Sequence, residues 1–219
     1  MAALTLLLVL AGVGGVVAWL TASGTVQNQF ELGTVEPTVN EDGPTEGTPF
    51  KEGDNIKQNV TVTNDGNVPV YVRAQVSIYW LDANGNQLWD EPYMGEKEPD
   101  QPTGVIIPPG DYMLKWGDSV VGQPGSTSME DGAWIKGPDG FYYWSLPIDP
   151  EGETKELIES CEYYGEYADG RTFYVDISVQ GIQAEPARAV VEAWSTETQT
   201  VMIDPSTKQL TITQEGAGA

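Results

Sequence analysis

The stretch P-V-Y-V-R-A-Q-V-S-I-Y-W-L-D, residues 69–82, decides the fold class, because apolar and polar side chains alternate along it. Alternation with a period of two is typical of a β-strand that buries one face. The sequence D-A-N-G-N at 82–86 predicts a tight turn directly after this strand. The predicted inward-facing residues of the strand are Val70, Val72, Ala74, Val76, Ile78 and Trp80.

The same pattern recurs on both sides of this strand. Residues 56–64, I-K-Q-N-V-T-V-T-N, alternate and end at a D-G-N turn. Residues 172–184 form a second long strand candidate, T-F-Y-V-D-I-S-V-Q-G-I-Q-A. Two shorter hairpins are predicted, one closed at 138–140 and the other around 205–206. The inward face of the second long strand is expected to hold Phe173, Val175, Ile177, Val179 and Gly181.

The one helix candidate is A-R-A-V-V-E-A-W, residues 187–194, which follows Pro186. Short strands separated by regular turn signals predict an all-β fold. We expect a single antiparallel β-sandwich domain, jelly-roll-like, with one short helix near its C-terminal end. The expected ranges are a signal peptide at 1–18, an N-terminal arm and first strand at 19–45, the sandwich at 46–204 with an insertion at 90–132, and a C-terminal strand and tail at 205–219.

The composition is strongly acidic, with 33 acidic and 10 basic residues and a formal net charge of −23. Binding to nucleic acid needs clustered Lys and Arg, so this balance argues against such a partner. We interpret the acidity as a solvated surface with, at most, weak Ca²⁺ binding by acidic loops. Asp82, Asn84 and Asn86 match the first ligand positions of an EF-hand loop, but Gln87 and Tyr93 stand where that loop needs Gly and Glu. A hairpin turn is therefore favoured there.

The chain contains no histidine, which excludes the common hydrolytic triads and zinc proteases. Its only cysteine, Cys161, cannot form an intrachain disulfide and has acidic neighbours that disfavour a reactive thiolate. Catalysis by carboxylates alone stays open, but no pair stands out among so many acids. We therefore predict no enzymatic activity and no catalytic, cofactor or metal residues.

The first twenty residues carry no charged side chain, which is typical of an export signal. Small side chains near its end place the expected cleavage region at Val17, Ala18 and Trp19. The segment would then meet the membrane only transiently, and a signal peptidase would be a partner during export. The alternative is a retained anchor at 2–20. Since a signal usually opens with basic residues and the first one here is Lys51, we expect the true start to lie upstream.

Ten tyrosines and seven tryptophans make the chain rich in aromatic residues. The hairpin around 138–140 concentrates several of them, and exposed rings there would provide a surface for a carbohydrate or a protein. The alternative is that they form sandwich core and cross-strand pairs. The candidate binding aromatics are Trp134, Phe141, Tyr142, Tyr143 and Trp144.

Residues 18–41, A-W-L-T-A-S-G-T-V-Q-N-Q-F-E-L-G-T-V-E-P-T-V-N-E, resemble the opening of the TasA/CotN/camelysin family of exported Gram-positive proteins. Residues 51–74, with N-D-G-N-V-P-V-Y-V-R, and residues 139–154, D-G-F-Y-Y-W-S-L-P-I-D-P-E-G-E-T, are similar to further blocks of that family. The absent basic start and the insertion at 90–132 depart from the family pattern.

The resemblance implies a secreted structural protein of the extracellular matrix or of the cell or spore surface in a Gram-positive bacterium. It implies a SipW-type signal and self-association into filaments, as in biofilm fibre proteins. In such fibres the freed N-terminal segment pairs with the next subunit as a donor strand. The candidate assembly strand here is 19–26, with Trp19, Leu20, Thr25 and Val26, although this segment could instead pair within its own sandwich.

Two other functions stay open. One is a surface module that binds carbohydrate or protein through the aromatic hairpin or the insertion. The other is a metallopeptidase, which the name camelysin suggests. A zinc protease needs imidazole ligands, and the chain has none to offer.

Overall fold

A computed structural model of the chain describes residues 33–44, 53–88, 92, 94, 111–121, 129–164 and 171–214. All of them belong to one compact unit, Gly33–Ala219. The predicted signal peptide, its cleavage region and the candidate assembly strand lie outside the described residues.

Two four-stranded antiparallel sheets form the fold. The first sheet, in spatial order, contains β1 (Pro37–Asp42), β2 (Asn55–Asn64), β7 (Ile158–Tyr163) and β4 (Tyr112–Trp116). The second sheet contains β5 (Trp134–Lys136), β6 (Tyr142–Trp144), β3 (Val70–Leu81) and β8 (Thr172–Gln183). A 3-10 turn at Met129–Asp131 precedes β5. The expected all-β sandwich is therefore confirmed.

The longest pairing joins β3 and β8, which run antiparallel without a register shift from Val70 opposite Gln183 to Leu81 opposite Thr172. Both predicted inward faces are confirmed, because the predicted side chains of β3 and β8 pack against those of the first sheet between the two sheets. This core holds, among others, Val60, Val72, Trp134, Leu157, Ile158 and Phe173.

A smaller unit packs on the outer face of the second sheet. It consists of α1 (Ala187–Trp194), which matches the predicted helix, and the hairpin of β9 (Gln199–Ile203) and β10 (Leu210–Gln214). We call α1, β9 and β10 the side lobe. Its core contains Tyr71 and Tyr143 from the second sheet together with Val190, Trp194, Val201 and Leu210.

Two strands were not predicted. β4 lies inside the range expected to be an insertion, 90–132, so part of that range belongs to the first sheet. β7 was missed because it does not alternate: Ile158 and Cys161 are both buried although they are three positions apart. The register of β7 against β4 shifts at Glu159, between Ser160 and Ile158. A bulge of this kind returns the next side chains to the inner face and erases the period of two.

Candidate assembly site

The aromatic hairpin does not form an exposed surface. Trp134 and Tyr143 are fully buried, and Tyr142 and Trp144 are 6% and 5% exposed. Trp134 and Trp144 pack against each other between the sheets, with ring centres 5.5 Å apart. Only Phe141 is half-buried. The expectation that these residues form a binding surface is therefore wrong, since aromatic rings pair favourably inside a sandwich.

One side of the aromatic hairpin anchors the side lobe through Arg73. Its guanidinium lies 4.1 Å from the Phe141 ring centre and 5.4 Å from the Trp194 ring. It also donates to the Tyr143 hydroxyl at 3.0 Å and lies 3.4 Å from the Asp139 carboxylate. The Asp139 carboxylate in turn accepts from the Tyr143 hydroxyl and from the buried Gln199 amide. This cluster is structural, because Arg73, Asp139, Tyr143 and the Gln199 amide nitrogen bond one another, although the buried Gln199 side-chain oxygen has no partner among the described residues.

An open strand edge lies on the other side of the hairpin. β6 pairs with β3 at only two positions, the last being Tyr142 opposite Ala74. On the same side, β3 is next engaged where the Trp80 carbonyl accepts from the Leu88 amide at 2.8 Å. No strand in the described part of the chain pairs with this side of β3 between those points, at residues 75–79.

The backbone groups on this open edge can be assigned from the register. In an antiparallel strand both backbone groups of one residue point to the same side, and those of the next residue point to the other. Val70 exchanges bonds with Ile148, away from β8, at 3.0 and 2.8 Å. Because β3 has no bulge against β8, Val76 and Ile78 direct their amides and carbonyls to that same side. The open edge therefore presents the hydrogen-bonding groups of these two residues.

An apolar groove of about 450 Å³ runs beside the open edge, between β3 and β4. The rings of Trp116 and Tyr142, which both line the groove, lie with their centres 4.6 Å apart. The Lys136 amine lies 5.6 Å from the Tyr142 ring centre. We call residues 75–79 of β3 together with this groove the acceptor cleft. Its apolar lining includes Val76, Ile78, Tyr112, Leu114, Trp116 and Tyr142.

The acceptor cleft combines the two features that recognise an extended peptide. Unpaired backbone groups supply hydrogen bonds, and a neighbouring apolar groove takes every second side chain. The sequence predicted the inward faces of Val76 and Ile78. It gave no signal of the cleft, because the cleft arises where β6 is shorter than β3.

The acidic loop at Asp82 is a hairpin turn, as expected. Its carboxylate accepts from the amides of Asn84 and Asn86, both at 2.8 Å, and from the Asn86 side chain at 3.1 Å. The hydrogen bonds from Asn86, and to a lesser extent from Asn84, lower the pKa of Asp82. Among the described residues, no group of three or more acidic, cysteine or histidine side chains is placed to hold a metal ion.

Cys161 is fully buried among Ile56, Trp80 and Phe173. Burial, with a smaller contribution from the charge of Glu162, raises the pKa of its thiol to about 12. The thiolate is thus strongly disfavoured in the folded state, and a catalytic role is not supported.

We expect stability to fall with rising pH because of Cys161. A free thiol has a pKa of about 8.5, so the unfolded chain loses this proton first. The contribution of Cys161 is complete below about pH 8.5 and is lost as the pH rises toward the folded value. Urea unfolding should show a decrease of about 1–2 kcal/mol between pH 8 and pH 10. In Cys161→Ala this slope should be smaller by about that amount, with a remainder from Tyr71, Tyr142 and Tyr143, whose pKa values burial also raises. An equal slope in both proteins would assign it to the tyrosines rather than to Cys161.

No protein-family model, curated protein or solved structure matches this chain. Within the described ranges, none of the helical segments has the length and apolar character needed to cross a membrane.

Proposed function

We propose that the protein is a secreted structural component of the extracellular matrix or of the cell or spore surface in a Gram-positive bacterium, without enzymatic activity. Subunits assemble into filaments when residues 19–26 of one copy enter the acceptor cleft of the next. The observation that carries this proposal is the unpaired stretch of β3 directly beside an apolar groove.

Strand addition satisfies both parts of the cleft at once. An incoming strand pairs with the backbone groups of Val76 and Ile78, and its inward side chains remove the groove from water. In W-L-T-A-S-G-T-V, Leu20 and Val26 share one face with small residues between them. Trp19 and Thr25 lie on the other face. One face of this strand would therefore direct Leu20 and Val26 into the groove, with only Ala22 and Gly24 between them.

The sequence supports the cellular setting. An uncharged apolar segment of this length is typical of an export signal, and cleavage between Val17 and Trp19 would free the assembly strand. A large negative charge keeps a secreted subunit soluble until it meets its neighbour. The resemblance of residues 18–41 to the TasA/CotN/camelysin opening supports the proposal that this segment begins a fibre-forming subunit.

We expect electron microscopy to show filaments for the chain that begins at Trp19 and none for the chain that begins at Gln27. In the longer chain, Leu20→Lys should also abolish filaments, because a charge cannot enter an apolar groove unpaired. Ile78→Lys should do the same from the acceptor side. Ser77→Lys is the matched control, since it adds the same charge at the next residue, on the other face of β3.

Filaments of equal number and length from both chains would overturn donation by residues 19–26. Thermal unfolding of Ile78→Lys shows whether the variant still folds, and so separates loss of the cleft from loss of the fold. Leu20 lies outside the unit Gly33–Ala219, which contains the cleft, so Leu20→Lys leaves the cleft itself unchanged. If neither chain polymerises, a surface binding module becomes the better hypothesis. Its best supported surface is then the stacked pair of Tyr79 and Tyr174, with ring centres 5.7 Å apart and Tyr174 38% exposed.

A further inference from the structure

The second sheet has another unpaired edge, on β8. Within the described ranges β8 pairs only with β3. The Ala184 amide donates to the Pro69 carbonyl at 2.8 Å, so even-numbered residues of this segment direct their backbone groups toward β3. Odd-numbered residues such as Ile177 and Val179 therefore direct theirs away from it, along the free edge.

This edge lacks the features that normally prevent pairing. Proteins protect edge strands with lysine, proline, bulges or short length. β8 is twelve residues long, contains no Lys, Arg or Pro, and keeps one register along β3. Its only charged side chain is Asp176, which points outward.

The middle of the edge also leaves apolar surface unburied. Phe173 and Val175 are 4% and 6% exposed, whereas Ile177 and Val179 face the same way but are only partly buried. The first sheet approaches β8 closely at Gly181, where Pro37 lies 3.0 Å from the position a Cβ would take. Apolar side chains half-covered beside an unpaired edge are typical of a surface that another strand covers.

We propose that the β8 edge is a homotypic interface, in which β8 of a second copy pairs antiparallel to it around a two-fold axis at Ser178. The two second sheets then become one continuous sheet. A two-fold interface requires a self-complementary surface. With this axis Ile177 lies opposite Val179 of the partner, so the half-buried apolar residues cover one another.

Charge favours an axis at Ser178 over one at Asp176. An axis at Asp176 would bring two like charges together, which is destabilising for directly opposed residues. An axis at Ser178 instead places Asp176 opposite Gln180 of the partner. The Gln180 side-chain oxygen accepts from the Arg73 guanidinium at 3.0 and 2.8 Å, so each Asp176 would approach a positive charge. The interface is separate from the acceptor cleft and does not depend on residues 19–26.

Cysteine cross-linking tests the register. Ser178 residues would form a non-hydrogen-bonded pair with Cα atoms about 4.5 Å apart, within the range for a disulfide. Gln180 residues would be roughly 14 Å apart, because each faces position 176 of the other strand. Both side chains are exposed on the outer face. With oxidised glutathione at physiological salt, the chain from Trp19 carrying Ser178→Cys should give at least about tenfold more disulfide dimer than Gln180→Cys.

A second substitution and the dependence on salt complete the test of the interface. Val179→Lys, combined with Ser178→Cys, should abolish the dimer, because an inward-pointing charge blocks edge pairing. Dimer formation should also increase with salt, since two strongly negative copies repel. Equal cross-linking of Ser178→Cys and Gln180→Cys, or no cross-linking of either at any salt, would overturn the proposal. Filament formation is scored separately by microscopy, so failure of the assembly strand and failure of this interface are distinguishable.

Discussion

Replacing Arg73 with alanine is expected to lower the free energy of unfolding by about 3 kcal/mol, the cost typical of breaking a buried pair. The Arg73 and Asp139 side chains are only 16% and 18% exposed. Water can therefore solvate the Asp139 carboxylate only poorly once the guanidinium is removed. The change also removes the cation–π contacts with Phe141 and Trp194. Urea unfolding followed by tryptophan fluorescence measures the loss, because Trp194 is a ring of the same cluster.

The matched control is Arg188→Ala. Arg188 pairs with Glu192 on the surface of α1, with side chains 83% and 61% exposed, and such pairs contribute only about 0.5 kcal/mol. Arg73→Lys should recover only part of the loss, since an ammonium cannot stack as a planar guanidinium does. Similar effects of Arg73→Ala and Arg188→Ala would contradict the role of Arg73 as the anchor of the side lobe.

The anchoring role of Arg73 helps to explain the structural part played by residues 64–73, N-D-G-N-V-P-V-Y-V-R. The buried Asn64 amide donates to the carbonyls of Val68 and Ile148 at 2.8 and 3.0 Å, which holds the turn before β3. The Tyr71 hydroxyl donates to the Lys208 carbonyl at 2.6 Å, and Arg73 anchors the lobe from the same face. The block thus joins the sandwich to its side lobe.

The sequence predicted what depends on local periodicity. β3 and β8 alternate without interruption, so their bounds and inward faces followed from the pattern. α1 was predicted from a single amphipathic turn pattern after Pro186. β7 could not be found, since its bulge at Glu159 places Ile158 and Cys161 on the same face. A register shift depends on the neighbouring strand, which a single stretch of sequence does not contain.

The sites were harder to predict than the strands, because they depend on relations between elements. Alternation placed Val76 and Ile78 on the inner face but could not show that β6 ends opposite Ala74. The burial of Tyr143 in the aromatic hairpin also depends on a relation between elements. The side chain of Tyr143 points outward from the sandwich, and the side lobe covers it. A predicted outward face is thus exposed only if no later segment packs on it.

Replacing Gly132 with alanine is expected to destabilise the protein by about 3–4 kcal/mol, whereas Gly140→Ala should cost only about 1 kcal/mol. Both glycines have positive φ, at +83° and +85°, so the backbone strain of an added Cβ is the same. They differ in the room that is available for an added Cβ. A Cβ on Gly132 would lie 2.3 Å from Cζ2 of Trp144, while nothing lies within 4 Å at Gly140.

The difference between the two variants therefore measures the packing of Trp144, which is 5% exposed in the core and cannot move aside freely. Trp144→Phe removes the clashing part of the indole. Urea unfolding of Gly132→Ala combined with Trp144→Phe should show a loss at least about 1 kcal/mol smaller than the sum of the single losses, as for coupled neighbours. Equal losses for Gly132→Ala and Gly140→Ala would mean that strain at positive φ alone sets the cost. The Asp-Gly pairs at 131–132 and 139–140 look alike in sequence, but the first lies at the end of a 3-10 turn and the second closes the hairpin between β5 and β6. The ring packed against one of them makes its glycine indispensable.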